Sequence, residues 1–463
     1  MTSSVVYVHG RFYAAADPRA TAMLVRDGRV AWLGETADAP AADAVVDLEQ
    51  GLVTPAFVDA HVHATDTGLV AGGLDLSGTR SARDVLDAVA AFAAGRAPDA
   101  VVHGHGWDES TWPVQTVPTA QELERAAGGR RVYLSQASVH SALVSQAMLA
   151  ASRGVAAVHE CGGPGTSSEQ DFLSVLALSG QGLPRVFGYW GELGGAVKAK
   201  ELGAVGAGGD LYADGALGSR TAWVRHAYED GPGCGEAFLN AEQVGAHLIE
   251  CAEVGVQGGF HAIGDAAIAA VLDGFAVAAA ALGVDRLRQG RHRIEHVELA
   301  DKAMIARMVE YGVVASVQPV FDALWGGKDR MYAQRLGVER ALATNPIGAM
   351  HATGVPLAFG SDSPVTRLEP WAAVAAAVAP ANPVFRISAR AAFAASTRGG
   401  WRAAGVDDAG VLAPGAQASF AVWDTPGGVA DGLPALLPDG DGRVPARPVC
   451  RRTVLTGETI FEG

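Results

Sequence analysis

Eight short apolar runs recur along the middle of the chain. They lie at Pro55–Ala60, Val155–His159, Arg185–Trp190, Leu211–Ala213, Gly258–His261, Arg293–His296, Val313–Gln318 and Leu357–Gly360. Ala-rich stretches with helical spacing, such as Ala266–Leu282 and Ala300–Val309, follow several of them. Eight strands with intervening helices predict an α/β fold, a (β/α)8 TIM-type barrel over residues 55–404. Residues 66–150 hold a helix at Ala82–Ala94, a GHGWDESTWP loop and strands near Val101 and Val132. That is too much for one crossover, so the segment reads as an insertion after the first barrel strand. Residues 1–54 and 405–463 carry strand and turn signals, among them Asp27-Gly28 and Thr456-Gly457. Neither end has enough alternating apolar residues to fold alone, because isolated hairpins are marginal. Pairing the two ends gives one small β-sandwich-like domain.

Composition narrows the partners. The 463 residues are 49% apolar and 18% charged, which excludes disorder, and the net charge of −15 with no long basic run argues against nucleic acid. The apolar stretches Phe275–Val284 and Trp371–Ala381 fall short of the ~18 residues that span a bilayer. The N-terminus shows no secretory pattern, and four cysteines without a CxxC pair suit a reducing cytoplasm. The expectation is a cytoplasmic protein acting on a small molecule, without a membrane or nucleic-acid partner. A homodimer is left open.

The chemistry concentrates at strand ends. In Asp59-Ala60-His61-Val62-His63, residues two apart point the same way, so His61 and His63 can present two imidazoles to one ion. His261 ends GGFHAIGD, His296 ends RHRIEH, and Asp362 ends PLAFGSDSP. Each is a ligand type at a barrel mouth, where such enzymes build their sites. No G-x-S-x-G elbow, phosphate-binding G-x-x-x-x-G-K-[ST] loop or dinucleotide G-x-G-x-x-G appears.

The chain resembles the amidohydrolase superfamily, and within it amidohydrolase family 3, which includes N-substituted formamide deformylase-like metal-dependent hydrolases. The resemblance rests on LVTPAFVDAHVH, GHGWDESTWP, LYADGALGSRTA, HAIGDAA, RHRIEHVE, ASVQP, GSDSPVTRLEPW and GVLAPGAQASFAVWD. It implies a divalent-metal site, most simply zinc with one or two ions, formed by His61, His63, His261, His296 and Asp362. Asp362 would also be the general base for a metal-activated water, returning the proton to the leaving amine. His140, Asp214 and Arg220 lie in shared motifs and are expected at the substrate, with Trp107 as a pocket wall.

The sequence departs from the pattern at the segment Gly209–Gly215. Many relatives have there a lysine that bridges two metals after carboxylation, and Asp210 stands in its place. The insertion's Arg-x-Asp-Gly-His run is here Gln136–His140, with only the histidine kept. The second strand ends in His159-Glu160, and the longer arm of Glu160 makes it the favoured replacement carboxylate, with Asp210 the alternative. The leading expectation is a hydrolase that cleaves a non-peptide C–N bond of amide type. One alternative is a single-metal aminohydrolase, a deaminase, in which His296 positions the water. Another is a non-catalytic metal-binding relative.

Overall fold

The computed structural model describes residues 4–64, 67, 73–97, 102–107, 112–114, 118–130, 132–136, 149–438 and 440–463. Its centre is an eight-stranded parallel sheet. The strands are β1 (Phe57–Val62), β2 (Val155–Gly162), β3 (Arg185–Trp190), β4 (Gly206–Ala207), β5 (Gln257–Ala262), β6 (Arg293–His296), β7 (Val314–Val317) and β8 (Leu357–Phe359). They run in sequence order around the barrel. Asp362 N–H donates to the His61 carbonyl and His63 N–H to the Ser363 carbonyl, closing the barrel through the segment after β8. Strands β1 and β2 are buried along their whole length, as a parallel sheet covered on both faces requires.

Seven of the eight runs in the sequence match a strand. The fourth does not. The strand expected at Leu211–Ala213 lies at Gly206–Ala207, and Tyr212 only bridges His261 beyond a break at Gly208-Gly209. Gly208 allows that break because a Cβ there would collide with the Gly259 backbone of β5, and Gly209 takes φ +77°.

Outside the barrel, Asp265–Leu282 is an 18-residue helix of mean hydropathy 1.8. Among the described residues it alone is long and apolar enough to cross a membrane, a length the shorter apolar run Phe275–Val284 concealed. Its Ile268, Val271, Leu272 and Phe275 are buried in the core shared with the barrel strands, which accounts for the apolar composition.

Sequence ends that are far apart meet beside the barrel. Leu52–Pro55 pairs with Phe420–Asp424, which pairs in turn with Val449–Leu455 and then Glu458–Glu462. A second sheet of Ser4–Val8, Ala22–Arg26, Arg29–Gly34 and Ala44–Asp47 packs on it through Tyr7, Met23, Val25, Val53, Phe420 and Val454. Both hairpin dipeptides adopt positive φ at both residues, Asp27 at 52° and Gly28 at 73°, Thr456 at 47° and Gly457 at 84°. That is the primed turn whose twist matches antiparallel strands. A chain ending near Gly405 would lose three of the five strands of one sheet. It is therefore expected to be insoluble or unfolded, and a native-like melting transition would refute the shared domain.

The described part of the insertion is a three-stranded parallel sheet of Leu74–Asp75, Val102–Trp107 and Val132–Gln136. It carries the expected helix Ala82–Ala94, capped by Ser81, and a second helix, Ala120–Ala126. The second was legible in the capping box formed by Thr119 and Glu122.

Candidate metal centre

The first two ligand candidates, His61 and His63, rise from the end of β1. His63 Nε2 lies 3.0 Å from Asp210 Oδ2 and 3.1 Å from Asp362 Oδ1. His61 Nε2 lies 3.5 Å from Asp210 Oδ1 and 3.4 Å from Asp362 Oδ1. On the other side of Asp210, His261 Nδ1 and His296 Nε2 stand 3.4 Å and 3.7 Å from its Oδ1. Asp210 is thus placed between the β1 histidine pair and the β5–β6 histidine pair.

Backbone geometry aims two of these groups. His296 has φ +70° and Asp362 φ +55°, conformations that non-glycine residues rarely adopt. Along β6, alternation turns Arg293 and Glu295 into the barrel, and the unusual φ lets His296 face the same cavity. Asp59 Oδ1 accepts from Ser361 N at 2.8 Å and His61 N at 3.3 Å, tying β1 to the segment that carries Asp362.

Each deeper histidine is held by its second nitrogen. His61 Nδ1 donates to Glu295 Oε2 at 2.9 Å, His296 Nδ1 to Gln318 Oε1 at 2.8 Å, and His261 Nε2 to the Gly215 carbonyl at 3.1 Å. The nitrogens left over, His61 Nε2, His261 Nδ1 and His296 Nε2, are buried without a hydrogen-bond partner, as are Asp210 Oδ1 and Asp362 Oδ1. An orphaned buried polar group costs about 1–3 kcal/mol, so five converging ones call for a shared partner. Imidazole nitrogens and carboxylate oxygens are a donor set that a divalent cation satisfies. Among the described residues, the groups close enough to share an ion are His61, His63 and Asp210; His61, His296 and Asp362; Asp210, His261 and His296; and, on the far side of the His61 ring, His61, Cys161 and Glu295.

Electrostatics point the same way. Burial opposes charge on His61, but Cys161, Asp210 and Asp362 outweigh it and hold the imidazole well above its usual range. Burial likewise opposes charge on His63, and Asp210 and Asp362 raise it. Burial would raise Asp210, yet the charge of His61 and the close approach of the His261 and His296 rings keep it well below the carboxylate range. The carboxylates favour positive charge at this point, whether protons or a cation supply it.

Beneath the cluster lies a fully buried ion pair that the sequence reading missed. Arg293 contacts Glu295 through two nitrogens, and its Nη1 is 2.9 Å from His159 Nδ1. The signal was available in the spacing, since Arg-x-Glu places both side chains on one face of β6. Glu295→Gln is expected to weaken metal binding about 10- to 100-fold, the usual cost of losing a carboxylate behind a ligating histidine. Titration against a competing chelator measures it.

Several expectations change. The carboxylate among the histidines is Asp210, not the favoured Glu160, whose Oε2 accepts from Ala64 N at 2.6 Å. Its short side chain reaches the histidines from the segment just past the Gly208-Gly209 break, not from a regular strand. Arg220 turns away from the cavity and pairs with Asp230 through two 2.9 Å contacts. Asp214 is buried behind the cavity wall, accepting from Trp223 N, Ile263 N and Gly264 N at 2.8–3.0 Å. Burial pushes its carboxyl up to about 6. Trp107 packs on Trp112 inside the insertion's own core and is no part of the cavity wall. His140 lies outside the described residues.

The centre opens into a cavity of about 430 Å³ whose lining includes His63, Asp210, His261, His296 and Asp362 together with Tyr212, Phe321, Trp325 and Tyr332. The profile of the amidohydrolase family matches residues 44–153 and 150–461. A putative amidohydrolase of Bacillus subtilis, YtcJ, is 24% identical over 407 residues, covering 72% of this chain and 74% of that protein. An imidazolonepropionase of Ruegeria pomeroyi is 28% identical over 411 residues, 87% of each chain. The crystal structure of an uncharacterized metal-dependent hydrolase from Pyrococcus furiosus superposes with a TM-score of 0.70 at 23% identity. It covers 90% of this chain and 98% of its own.

Proposed function

The chain belongs to the amidohydrolase family, and from that premise we propose a metal-dependent hydrolase that opens a non-peptide C–N bond, of amide type, in a small molecule. The observation that carries this reading is the set of five orphaned buried atoms on His61, His261, His296, Asp210 and Asp362, converging at one end of the barrel. His61, His63 and Asp210 would hold one ion and Asp210, His261 and His296 a second, and Asp362 is grouped with His61 and His296. The imidazole-rich donor set favours zinc. When bound, the ion would polarise the scissile carbonyl and ease loss of a proton from water.

The chain's own groups supply the rest. Asp362, at the cavity wall, takes the proton of the attacking water and passes it to the departing nitrogen, so that acid and amine leave neutral overall. Glu295 and Gln318 fix the rings of His61 and His296. Tyr212 Oη, 3.4 Å from Asp210 Oδ2, steadies that carboxylate. A panel of uncharged amides, assayed with zinc-loaded and chelator-treated protein, tests the reading. Metal-dependent release of equal amounts of acid and amine supports it. Release of ammonia with one ion per chain would establish the deaminase instead. Bound metal with no turnover of any C–N substrate would leave the non-catalytic relative.

A further inference from the structure

The far wall of the cavity holds a carboxyl group that the hydrolytic reading does not use. Glu298, two residues past His296, is 2% exposed, lines the cavity, and has an Oε2 without a hydrogen-bond partner. Its backbone is fixed, because its carbonyl accepts from Asn345 N at 2.7 Å. Beside it stands Tyr332, whose hydroxyl hydrogen-bonds with the Glu298 carboxyl, and the cavity lining also includes the apolar Leu217, Ile263, Phe321, Trp325, Met331 and Val365. Phe321 and Trp325 have ring centroids 4.9 Å apart, forming a continuous aromatic wall. Among the described lining residues there is no lysine or arginine.

These features bear on the part of the substrate that does not react. A buried polar atom left unpaired in an apolar wall is costly, and a ligand group that pairs with it recovers that cost. A carboxyl oxygen in either protonation state can accept a hydrogen bond. With Asp210 and Asp362 engaged at the metal centre, a substrate carboxylate or phosphate placed against Glu298 would face another carboxyl group, with no lysine or arginine among the described lining residues to offset it. We propose that Glu298 is a specificity residue: the substrate is an uncharged or cationic amide whose apolar, ring-sized arm carries one hydrogen-bond donor, hydroxyl or N–H, placed against Glu298. This rests on the hydrolase reading for the position of the amide and concerns the same cavity.

The test uses the metal-loaded full chain and a matched series of ligands. The series is acetanilide, its ring-hydroxymethyl isomers, the corresponding ring-methoxymethyl ethers and the corresponding ring carboxylates. Kd is read from quenching of tryptophan fluorescence, Trp325 being in the wall, and acid release is followed in parallel. One hydroxymethyl isomer is expected to bind about 10- to 100-fold more tightly than acetanilide, the range that follows from satisfying one buried acceptor. The methoxymethyl ether, which has no donor, should lose that gain, and the carboxylate should bind worst. In Glu298→Met the hydroxymethyl-to-acetanilide ratio should fall towards one, and Glu298→Gln, which keeps an acceptor, should restore part of it. An unchanged ratio in Glu298→Met, a preference for ether or carboxylate, or no binding by any member would overturn the proposal. Donor-dependent binding without hydrolysis would instead overturn the catalytic reading and leave this one standing.

Discussion

Asp210→Asn is expected to empty the metal centre. Its Oδ1 lies within 3.7 Å of three histidine nitrogens and its Oδ2 within 3.0 Å of a fourth, and among the described residues no other carboxylate lies within 4.0 Å of nitrogens from both histidine pairs. The amide keeps the shape and removes the negative charge. The loss should exceed the roughly 10- to 100-fold that changing a group behind a ligand costs. Elemental analysis of purified protein should find at least one ion per chain fewer than in the wild type, with turnover lost in parallel. Glu160→Gln is the paired control, expected to keep its ions because Glu160 Oε2 accepts from Ala64 N and Glu160 belongs to none of the groups close enough to share an ion. Full metal content in Asp210→Asn together with loss in Glu160→Gln would reverse the assignment.

Asp362→Asn is the second large effect. An amide cannot take the proton of the attacking water, and general acid–base groups contribute about 10²–10⁴-fold. The variant should fold, since Asp362 contributes its backbone N–H to barrel closure and the substitution leaves that bond in place. A fall of that size in kcat with metal content unchanged assigns the proton-transfer role. The same fall with ions missing assigns Asp362 chiefly to holding metal. Near-wild-type turnover removes it from both.

Much of this was legible in the sequence, for reasons that differ by element. Buried parallel strands leave apolar runs, so β1, β2, β3, β5, β6, β7 and β8 could be read directly. Strand β4 could not, because Gly206–Ala207 is two small residues without a run, and the apolar Leu211-Tyr212-Ala213 lies beyond the break. Ligands at strand ends, His61 and His63 above all, follow from alternation. Glu160 misled on side-chain length, since reach from a regular strand favours the longer arm and Asp210 does not sit on a regular strand. Arg220 misled by motif membership alone: its segment is at the cavity, with Gly218, Ser219 and Thr221 in the lining, but φ +61° turns its side chain to Asp230. Glu298 carried no spacing signal, because its importance lies in what the folded wall leaves unpaired around it.

The pair Gly208-Gly209 ties the identity of the central carboxylate to the path of the chain. A methyl group at 208 would press on the β5 backbone, and one at 209 would meet Cys161 Cβ and Sγ at 3.0 Å in a conformation that already disfavours side chains. The position of the central carboxylate is therefore set by two residues that offer no ligand atom of their own, so the backbone at 208 and 209 is as much a part of the centre as the histidines are.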